Sequence, residues 1–226
     1  MRVTLAQEHI DHFNKTGSIE FDGVFTPEEC EKLLTSLEQY LKKRMRASEK
    51  NPLDFSSNES LFLNGRNLWR DGLEIKKLCS KKQFGEIAYH LFRKKPLKLA
   101  YDQYVRTSTL QDCPFAANET LQEISSIRPL LGAVIIMLSP DESPATEEVL
   151  IPKKAGNALF ISGNLTLPLT TFFNQKTLSM LVIAFTAGKA IYCLETKDPH
   201  THSFKKEGVV FGDAAGEDLC PTLYHP

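Results

Sequence analysis

The stretch LLGAVIIML, residues 130–138, is a short run of β-branched and other apolar residues, which is the composition of a buried strand. Similar runs surround it from Pro96 onward, and Pro, Gly, Asp and Asn residues typical of turns separate them. These runs are LKLAYDQYVR (97–106), EVLI (148–151), NALFISG (157–163), LSMLVIAF (178–185) and AIYCL (190–194). The second half of the chain is therefore predicted to be rich in β-strands.

Helical periodicity dominates the residues before Pro96. Apolar residues at helical spacing predict helices over about residues 4–15, 26–46 and 73–94, and the short segment 18–25 between the first two alternates like a strand. Helices that precede strands without strict alternation favour an α+β fold, in which an antiparallel sheet packs against helices.

The second helix has a recognisable start at Thr26-Pro27-Glu28-Glu29. The Thr26 side chain can accept a hydrogen bond from a free N–H in the first turn, and Pro27 suits the first helical position because its missing N–H is not needed there. Glu29 completes a capping box with Thr26. We therefore expect a helix to begin here.

The composition of the 226 residues is that of an ordinary globular protein. With 42% hydrophobic residues, 24% charged residues and a formal net charge of −1, the chain is neither a disordered tail nor a strongly basic nucleic-acid binder. The five cysteines are widely spread without a Cys-x-x-Cys pair, so neither a disulfide framework nor a zinc knuckle is expected. Because no apolar run approaches membrane-spanning length and no signal-peptide core is present, we expect a cytoplasmic protein with no membrane partner.

Two segments of the sequence place a histidine near an aspartate, as metal sites often do. His9 and Asp11 form a His-x-Asp, but two positions apart on a helix they point in nearly opposite directions and cannot hold one ion. Near the C-terminus, His200 and His202 lie two apart beside Asp198, a spacing that a strand or loop can use to bind zinc or iron. A short polar loop is the favoured interpretation there, since no further ligand is specified nearby.

Three segments carry a resemblance to a known family. They are LAQEHIDHFNKTGSIEFDGVFTPEECEKLL (5–34), LKLAYDQYVRT (97–107) and PKKAGNALFISGNLTLPLTTFFNQKTLSMLVIAF (152–185). In content and order they resemble phytanoyl-CoA-hydroxylase-like, non-haem Fe(II) and 2-oxoglutarate-dependent dioxygenases, over most of the chain. The resemblance implies a single domain over residues 1–226 with a double-stranded β-helix, a jelly roll of two antiparallel sheets, flanked by N-terminal helices. It also implies iron held by two histidines and one carboxylate.

The sequence departs from that family at the iron ligands. A Leu-Gln-Glu triplet at residues 121–123 stands where the family has His-x-Asp, so Glu123 is the carboxylate that remains. The second histidine of the family falls in a segment that offers Asn164, Leu165 and Leu167 instead. A single carboxylate would bind iron weakly, because imidazole is what makes such a site selective for Fe(II).

The sequence also departs from the family at the position that binds the co-substrate. Lys176 is the cation nearest to the place of the family's 2-oxoglutarate-binding arginine, and it lacks the two-pronged guanidinium. Tyr101 or Tyr104 can supply a hydroxyl. We therefore expect no cofactor, with Fe(II) and 2-oxoglutarate needed only if the chain is a divergent oxygenase.

The leading hypothesis is a protein with this oxygenase-like fold that is not a functional oxygenase. Its barrel pocket would bind an unknown small molecule or protein, lined by Tyr104, Glu123, Leu165 and Lys176.

Two alternatives remain open. The first is a divergent Fe(II) and 2-oxoglutarate-dependent oxygenase in which His90, His200 or His202 supplies ligands. The second is a transcriptional regulator that responds to a divalent metal such as iron. The basic residues resemble solvated helix faces and no nucleic-acid motif is present, so nucleic acid is not an expected partner.

Overall fold

The computed structural model describes residues 5–48, 58–107, 113–115, 118–139, 150–173 and 178–225. The helices are α1 (Gln7–Thr16), α2 (Pro27–Ser48), α3 (Asn58–Asn64), α4 (Leu73–Cys79), α5 (Lys82–Phe92) and α6 (Leu169–Phe173), with 3-10 turns at Leu68–Arg70 and Ser203–Glu207. The strands are β1 (Ser18–Phe21), β2 (Leu97–Arg106), β3 (Glu119–Thr120), β4 (Ile127–Met137), β5 (Ala158–Ser162), β6 (Thr166–Leu167), β7 (Ser179–Tyr192) and β8 (Thr222–Tyr224). In the described residues, no helix has the length and apolarity needed to cross a bilayer.

The strands form an antiparallel, jelly-roll-like arrangement. Six of them make one sheet in the order β1-β5-β4-β7-β2-β8, and β3 pairs with β6 in a separate two-stranded sheet. Every pair of strands in the described residues is antiparallel. The mixed helical and antiparallel architecture predicted from the sequence is confirmed.

The helix starts follow local rules. At α2 the Thr26 N–H donates to Glu29 Oε2 at 2.8 Å and the Glu29 N–H donates to Thr26 Oγ1 at 3.3 Å, so the predicted capping box is confirmed. The helical region predicted over about residues 73–94 is present but divided into two helices, because α4 ends at Cys79 and α5 begins at Lys82. The Ser80 hydroxyl between them donates to the Lys76 carbonyl at 2.7 Å, and this side-chain bond accompanies the end of α4.

Two strand predictions also change. The runs 178–185 and 190–194 are one continuous strand, β7, which pairs with β2 and β4. Gly188 lets this strand pass close to the chain before β2, because a Cβ there would lie 2.6 Å from Pro96 Cγ. Of the predicted strand 148–151, Leu150 and Ile151 lie in the described residues and neither is in a strand.

The six-stranded sheet is buried on both faces. Side chains alternate along each strand, so Val134, Phe160 and Phe185 face the helices and belong to one hydrophobic cluster. Their neighbours Ile135 and Ile161 belong to a second cluster on the opposite face. The first face is closed by the helices, and the second encloses the cavity described next.

Candidate functional site

A cavity of about 60 Å³ lies on the sheet face that points away from the helices, and it is partly open to solvent. Strands β2, β4, β5, β6 and β7 and helix α6 supply most of its wall. The lining side chains are Phe62, Arg66, Tyr101, Gln103, Val105, Phe115, Leu121, Ile124, Ile135, Ile161, Leu167, Leu169 and Val182. All but three are apolar, so the cavity is a hydrophobic site with one polar end.

Arg66 forms that polar end. Its guanidinium carbon lies 3.8 Å from the centre of the Tyr101 ring, and its Nε donates to Gln103 Oε1 at 3.4 Å. Its Nη1 donates to both carboxylate oxygens of Asp198 at 3.3 Å. The guanidinium is therefore held by an aromatic face, an amide and a buried carboxylate.

The backbone around Arg66 is placed by strand β2. The Tyr104 N–H donates to the Gly65 carbonyl at 2.8 Å, and Arg66 forms an isolated antiparallel bridge with Gln103. Only glycine permits this approach at position 65, because a Cβ there would lie 2.5 Å from the Tyr104 carbonyl oxygen. The adjoining Asn67 takes a left-handed conformation with φ of 59°.

Asp198 is the carboxylate of the polar cluster, and its side chain is fully buried. It accepts the Ser126 N–H at 2.8 Å, the Ser126 hydroxyl and the His200 N–H at 2.9 Å, in addition to Arg66. Burial by itself would raise the pKa of Asp198, but the Arg66 charge and these hydrogen bonds outweigh it and hold that pKa below its usual range. The carboxylate is therefore ionised at neutral pH.

His200 is buried in the same cluster, with its ring centre 5.4 Å from that of Phe62. Burial and the charge of Arg66 lower the pKa of His200 well below its usual range, in spite of the nearby Asp198. Its Nε2 has no hydrogen-bond partner in the described part of the chain. The segment is a polar loop, as expected, but His200 within it is a neutral imidazole enclosed by protein.

The other two candidate histidines, His90 and His202, lie outside this buried cluster. His202 is exposed and lies against Phe211 with ring centres 5.9 Å apart, while His90 is exposed on α5 beside Tyr89. Within the described ranges, no group of three or more His, Cys, Asp or Glu side chains is arranged to hold a metal ion.

The positions that resemble the family's iron ligands are brought together by β3 and β6. Thr120 pairs with Thr166 and Glu119 pairs with Leu167 in this two-stranded sheet. Leu121, which follows β3, and Leu167 both line the cavity and are 6% and 7% exposed. In both segments where the resemblance implies a histidine, the residue that reaches the cavity is therefore a leucine.

Glu123 does not face the cavity. It is exposed, its Oε2 accepts the Thr120 N–H at 2.8 Å, and its own N–H donates to Thr120 Oγ1 at 3.2 Å. These backbone and side-chain hydrogen bonds with Thr120 lower the pKa of the carboxyl. Nearby, the exposed Asn164 accepts a hydrogen bond from the Gln122 side chain, and Leu165 packs against the cavity-side cluster. The carboxylate that remains in this segment acts as a turn cap.

Of the two tyrosines that could supply a hydroxyl, Tyr101 lines the cavity and Tyr104 does not. Tyr104 points to the helix side of β2, where it is 2% exposed and its hydroxyl lies 3.2 Å from Ser179 Oγ. The alternation of β2 explains this, because Tyr101 and Gln103 on the same strand occupy the cavity side. Lys176 lies outside the described residues.

Sequence reasoning did not identify Arg66, Ser126 or Gln103 as site residues. No local pattern marks them, since they come from three segments that meet only in the folded chain. The one available signal was the Asp-x-His at 198–200, which indicated chemistry at this segment but not its partner.

Comparisons with known proteins agree with this architecture. No protein-family model and no curated protein matches the sequence. Among solved structures, SnoK, a non-haem alpha-ketoglutarate-dependent carbocyclase from nogalamycin biosynthesis, has a TM-score of 0.70 at 13% identity, covering 97% of each chain. The epimerase SnoN from the same biosynthesis has a TM-score of 0.67 at 13% identity, covering 97% of this chain and 98% of its own.

The chain has a 2-oxoglutarate-oxygenase-like fold. CT296 from Chlamydia trachomatis also matches, with 18% identity, a TM-score of 0.49 and coverage of 83% of this chain and 99% of its own. At these identities the likeness describes the fold and not the chemistry.

The iron that goes with such a fold does not fit the residues at this site. Fe(II) in these sites prefers imidazole and carboxylate donors, and the side chains of Leu121 and Leu167 provide none. The Glu123 carboxylate is engaged with Thr120. The cavity wall is instead suited to apolar contact.

Proposed function

We propose that this chain is a pseudo-enzyme, in which a double-stranded β-helix of the 2-oxoglutarate-oxygenase type binds a small molecule in its cavity without iron catalysis. The observation that carries the proposal is that leucines, Leu121 and Leu167, face the cavity from the two segments in which the resemblance implies metal-binding histidines.

The energetics support this choice. A divalent ion placed between leucines would lose its hydration without gaining ligands, which is strongly unfavourable. The sheet itself does not depend on a metal, because buried alternating side chains on both faces specify its register. The fold can therefore persist after the metal chemistry has been lost, with the cavity kept for binding.

The test is anaerobic isothermal titration of the full chain with Fe(II) and with Mn(II), each with and without 2-oxoglutarate. We expect no micromolar metal binding and no change when 2-oxoglutarate is added. SnoN, which has been crystallised with Fe3+ and alpha-ketoglutarate, serves as the positive control. Micromolar metal binding that 2-oxoglutarate tightens would refute the proposal and favour the divergent oxygenase.

Two variants identify the origin of any metal binding that is seen. Glu123→Gln removes the exposed carboxylate, and we expect no effect because that group caps a turn. His200→Phe removes the buried imidazole. Loss of micromolar binding in either variant would assign a ligand and count against the pseudo-enzyme.

A further inference from the structure

We propose that the cavity selects a neutral molecule, which places a compact aliphatic group against the leucines and isoleucines and one oxygen acceptor on Arg66. This inference rests on the proposed function, because it names the ligand class of the same cavity. It also excludes a dicarboxylate such as 2-oxoglutarate as the natural occupant.

The polar groups of the lining are almost fully used within the protein. Gln103 Nε2 donates to the carbonyls of Phe62 and Tyr104 at 2.9 Å each, and its Oε1 accepts from Arg66 Nε. Gln103 therefore orients the guanidinium and has little capacity left for a ligand.

Arg66 keeps one donor for a ligand. Its Nε and Nη1 are bonded to Gln103 and Asp198, whereas its Nη2 donates to no partner among the residues that the structure describes. Because Arg66 is one of the residues that line the cavity, we place this donor at the cavity, where it favours a molecule that brings an oxygen acceptor.

The charge balance of the cluster decides between a neutral and an anionic acceptor. Asp198 is ionised and compensates the single positive charge of Arg66, and the neighbouring His200 is neutral. A ligand carboxylate would lose its hydration, find no unpaired cation in the described cluster and be repelled by Asp198 at short range. A ketone, amide, ester or alcohol oxygen can accept from Nη2 without these costs.

The size of the cavity limits the buried group. Its volume of about 60 Å³ is less than half of the roughly 150 Å³ cavity that accommodates benzene in an engineered protein. A short aliphatic group of a few heavy atoms therefore fills it, and any larger remainder of the molecule lies toward the opening.

The test compares propionamide with propionate, which have nearly the same shape but differ in charge. Binding to the full, metal-free chain is followed by methyl 1H–13C NMR at millimolar ligand concentrations, with assigned methyl groups of Leu121, Ile161 and Leu167 as reporters. We expect propionamide to give saturable shifts at all three and propionate to bind at least tenfold more weakly. Equal or tighter binding of propionate, or no saturable shift with propionamide, would overturn the inference.

Variants distinguish the contribution of the Arg66 hydrogen bond to ligand binding from the contribution of the apolar cavity. Arg66→Lys keeps a positive charge for Asp198 but removes the guanidinium fork, so propionamide should bind about fivefold more weakly, as expected for one lost hydrogen bond. Arg70→Lys, whose parent side chain pairs with the exposed Glu207, should leave binding unchanged. Unchanged binding in Arg66→Lys contradicts the proposed contact.

A further variant keeps the proposal testable if Arg66→Lys fails to fold. Val182→Phe fills the cavity from β7 without altering the charged cluster, and it should abolish the saturable shifts. Persisting shifts would show that the ligand binds elsewhere and would overturn the inference. Equal or tighter binding of propionate without metal contradicts only this inference, whereas metal-dependent 2-oxoglutarate binding in the calorimetric test contradicts the proposed function.

Discussion

Two buried aspartates, Asp102 and Asp198, lie on opposite sides of β2, and their pKa values shift in opposite directions. On the helix side, Asp102 accepts the N–H groups of Leu68 and Trp69 at 3.1 and 2.9 Å, and burial raises its pKa to about 6. On the cavity side, Asp198 has a pKa below its usual range because Arg66 and further hydrogen bonds outweigh burial. Equal burial thus gives opposite titration behaviour when a guanidinium is within contact distance.

Removing that guanidinium should produce the largest effect. Arg66→Met leaves Asp198 buried and unpaired, and losing one partner of a buried ion pair typically costs about 3–5 kcal/mol. Urea unfolding followed by circular dichroism measures the loss. The matched control is Arg70→Met, whose pair with Glu207 is partly exposed and for which we expect at most about 1 kcal/mol.

The double variant Arg66→Met/Asp198→Asn sharpens this prediction. It should recover part of the lost stability, because no buried charge is left uncompensated. A cost for Arg66→Met as small as that for Arg70→Met would mean that the cluster is hydrated, and the contrast between the two aspartates would fail.

The next largest effect is a difference in pH dependence. The folded pKa of Asp102 lies above its unfolded value, so the folded state holds the proton more tightly and stability decreases as pH rises from about 4 to 7. The change from 3.8 to about 6 corresponds to about 3 kcal/mol. Relative to the native chain, Asp102→Asn should therefore gain about that amount between pH 4 and pH 7, as measured by urea unfolding at several pH values.

Asp198→Asn is the contrasting variant. The folded pKa of Asp198 is lowered, so its contribution is present above the unfolded value of about 3.8 and is lost as pH falls. The cost of Asp198→Asn should be constant near neutral pH and shrink in acid. Parallel stability profiles for the native chain and both variants would contradict the assigned pKa directions.

The smallest expected effect is a difference in packing between the two faces of the six-stranded sheet. It is tested by adding one methylene group to a valine on each face. Val134 on β4 faces the helices and is fully buried, whereas Val182 on β7 lines the cavity. Val134→Ile should cost about 1–3 kcal/mol through overpacking. Val182→Ile should be neutral or stabilise by up to about 0.8 kcal/mol, because its methylene group enters empty space. Thermal unfolding distinguishes them, and an equal cost at both sites would argue against the cavity.

Much of the fold was predictable because its signals are local. The capping box at Thr26 and Glu29 and the strand runs at 97–106 and 157–163 depend on neighbouring residues, and the structure contains them. Errors occurred where a distant contact intervened. The gap between 185 and 190 did not end a strand, because β2 still pairs with Thr186 and Ala187, and β4 pairs again with Ile191 and Tyr192 after a register shift.

The site was predictable only in part. Leu121 and Leu167 were recognised as departures from the iron ligands, and both line the cavity. Tyr104 was assigned to the pocket, but it is Tyr101, the alternative source of a hydroxyl, that lines the cavity. Consecutive side chains of a strand alternate, and a register shift between Leu99 and Tyr101 sets which of the two faces inward. That shift has no signature in the sequence.

The sequence by itself determined the order of helices and strands, the antiparallel class of the sheet and the replacement of the expected metal-binding residues by apolar ones. Those properties follow from periodicity, capping and side-chain chemistry, which act over a few residues. Only the tertiary structure decided that Asp198 and His200 are buried against Arg66, a residue more than 130 positions away along the chain. A charged side chain is normally buried only beside a group of opposite charge. Which residue provides that charge depends on how distant segments of the chain pack together.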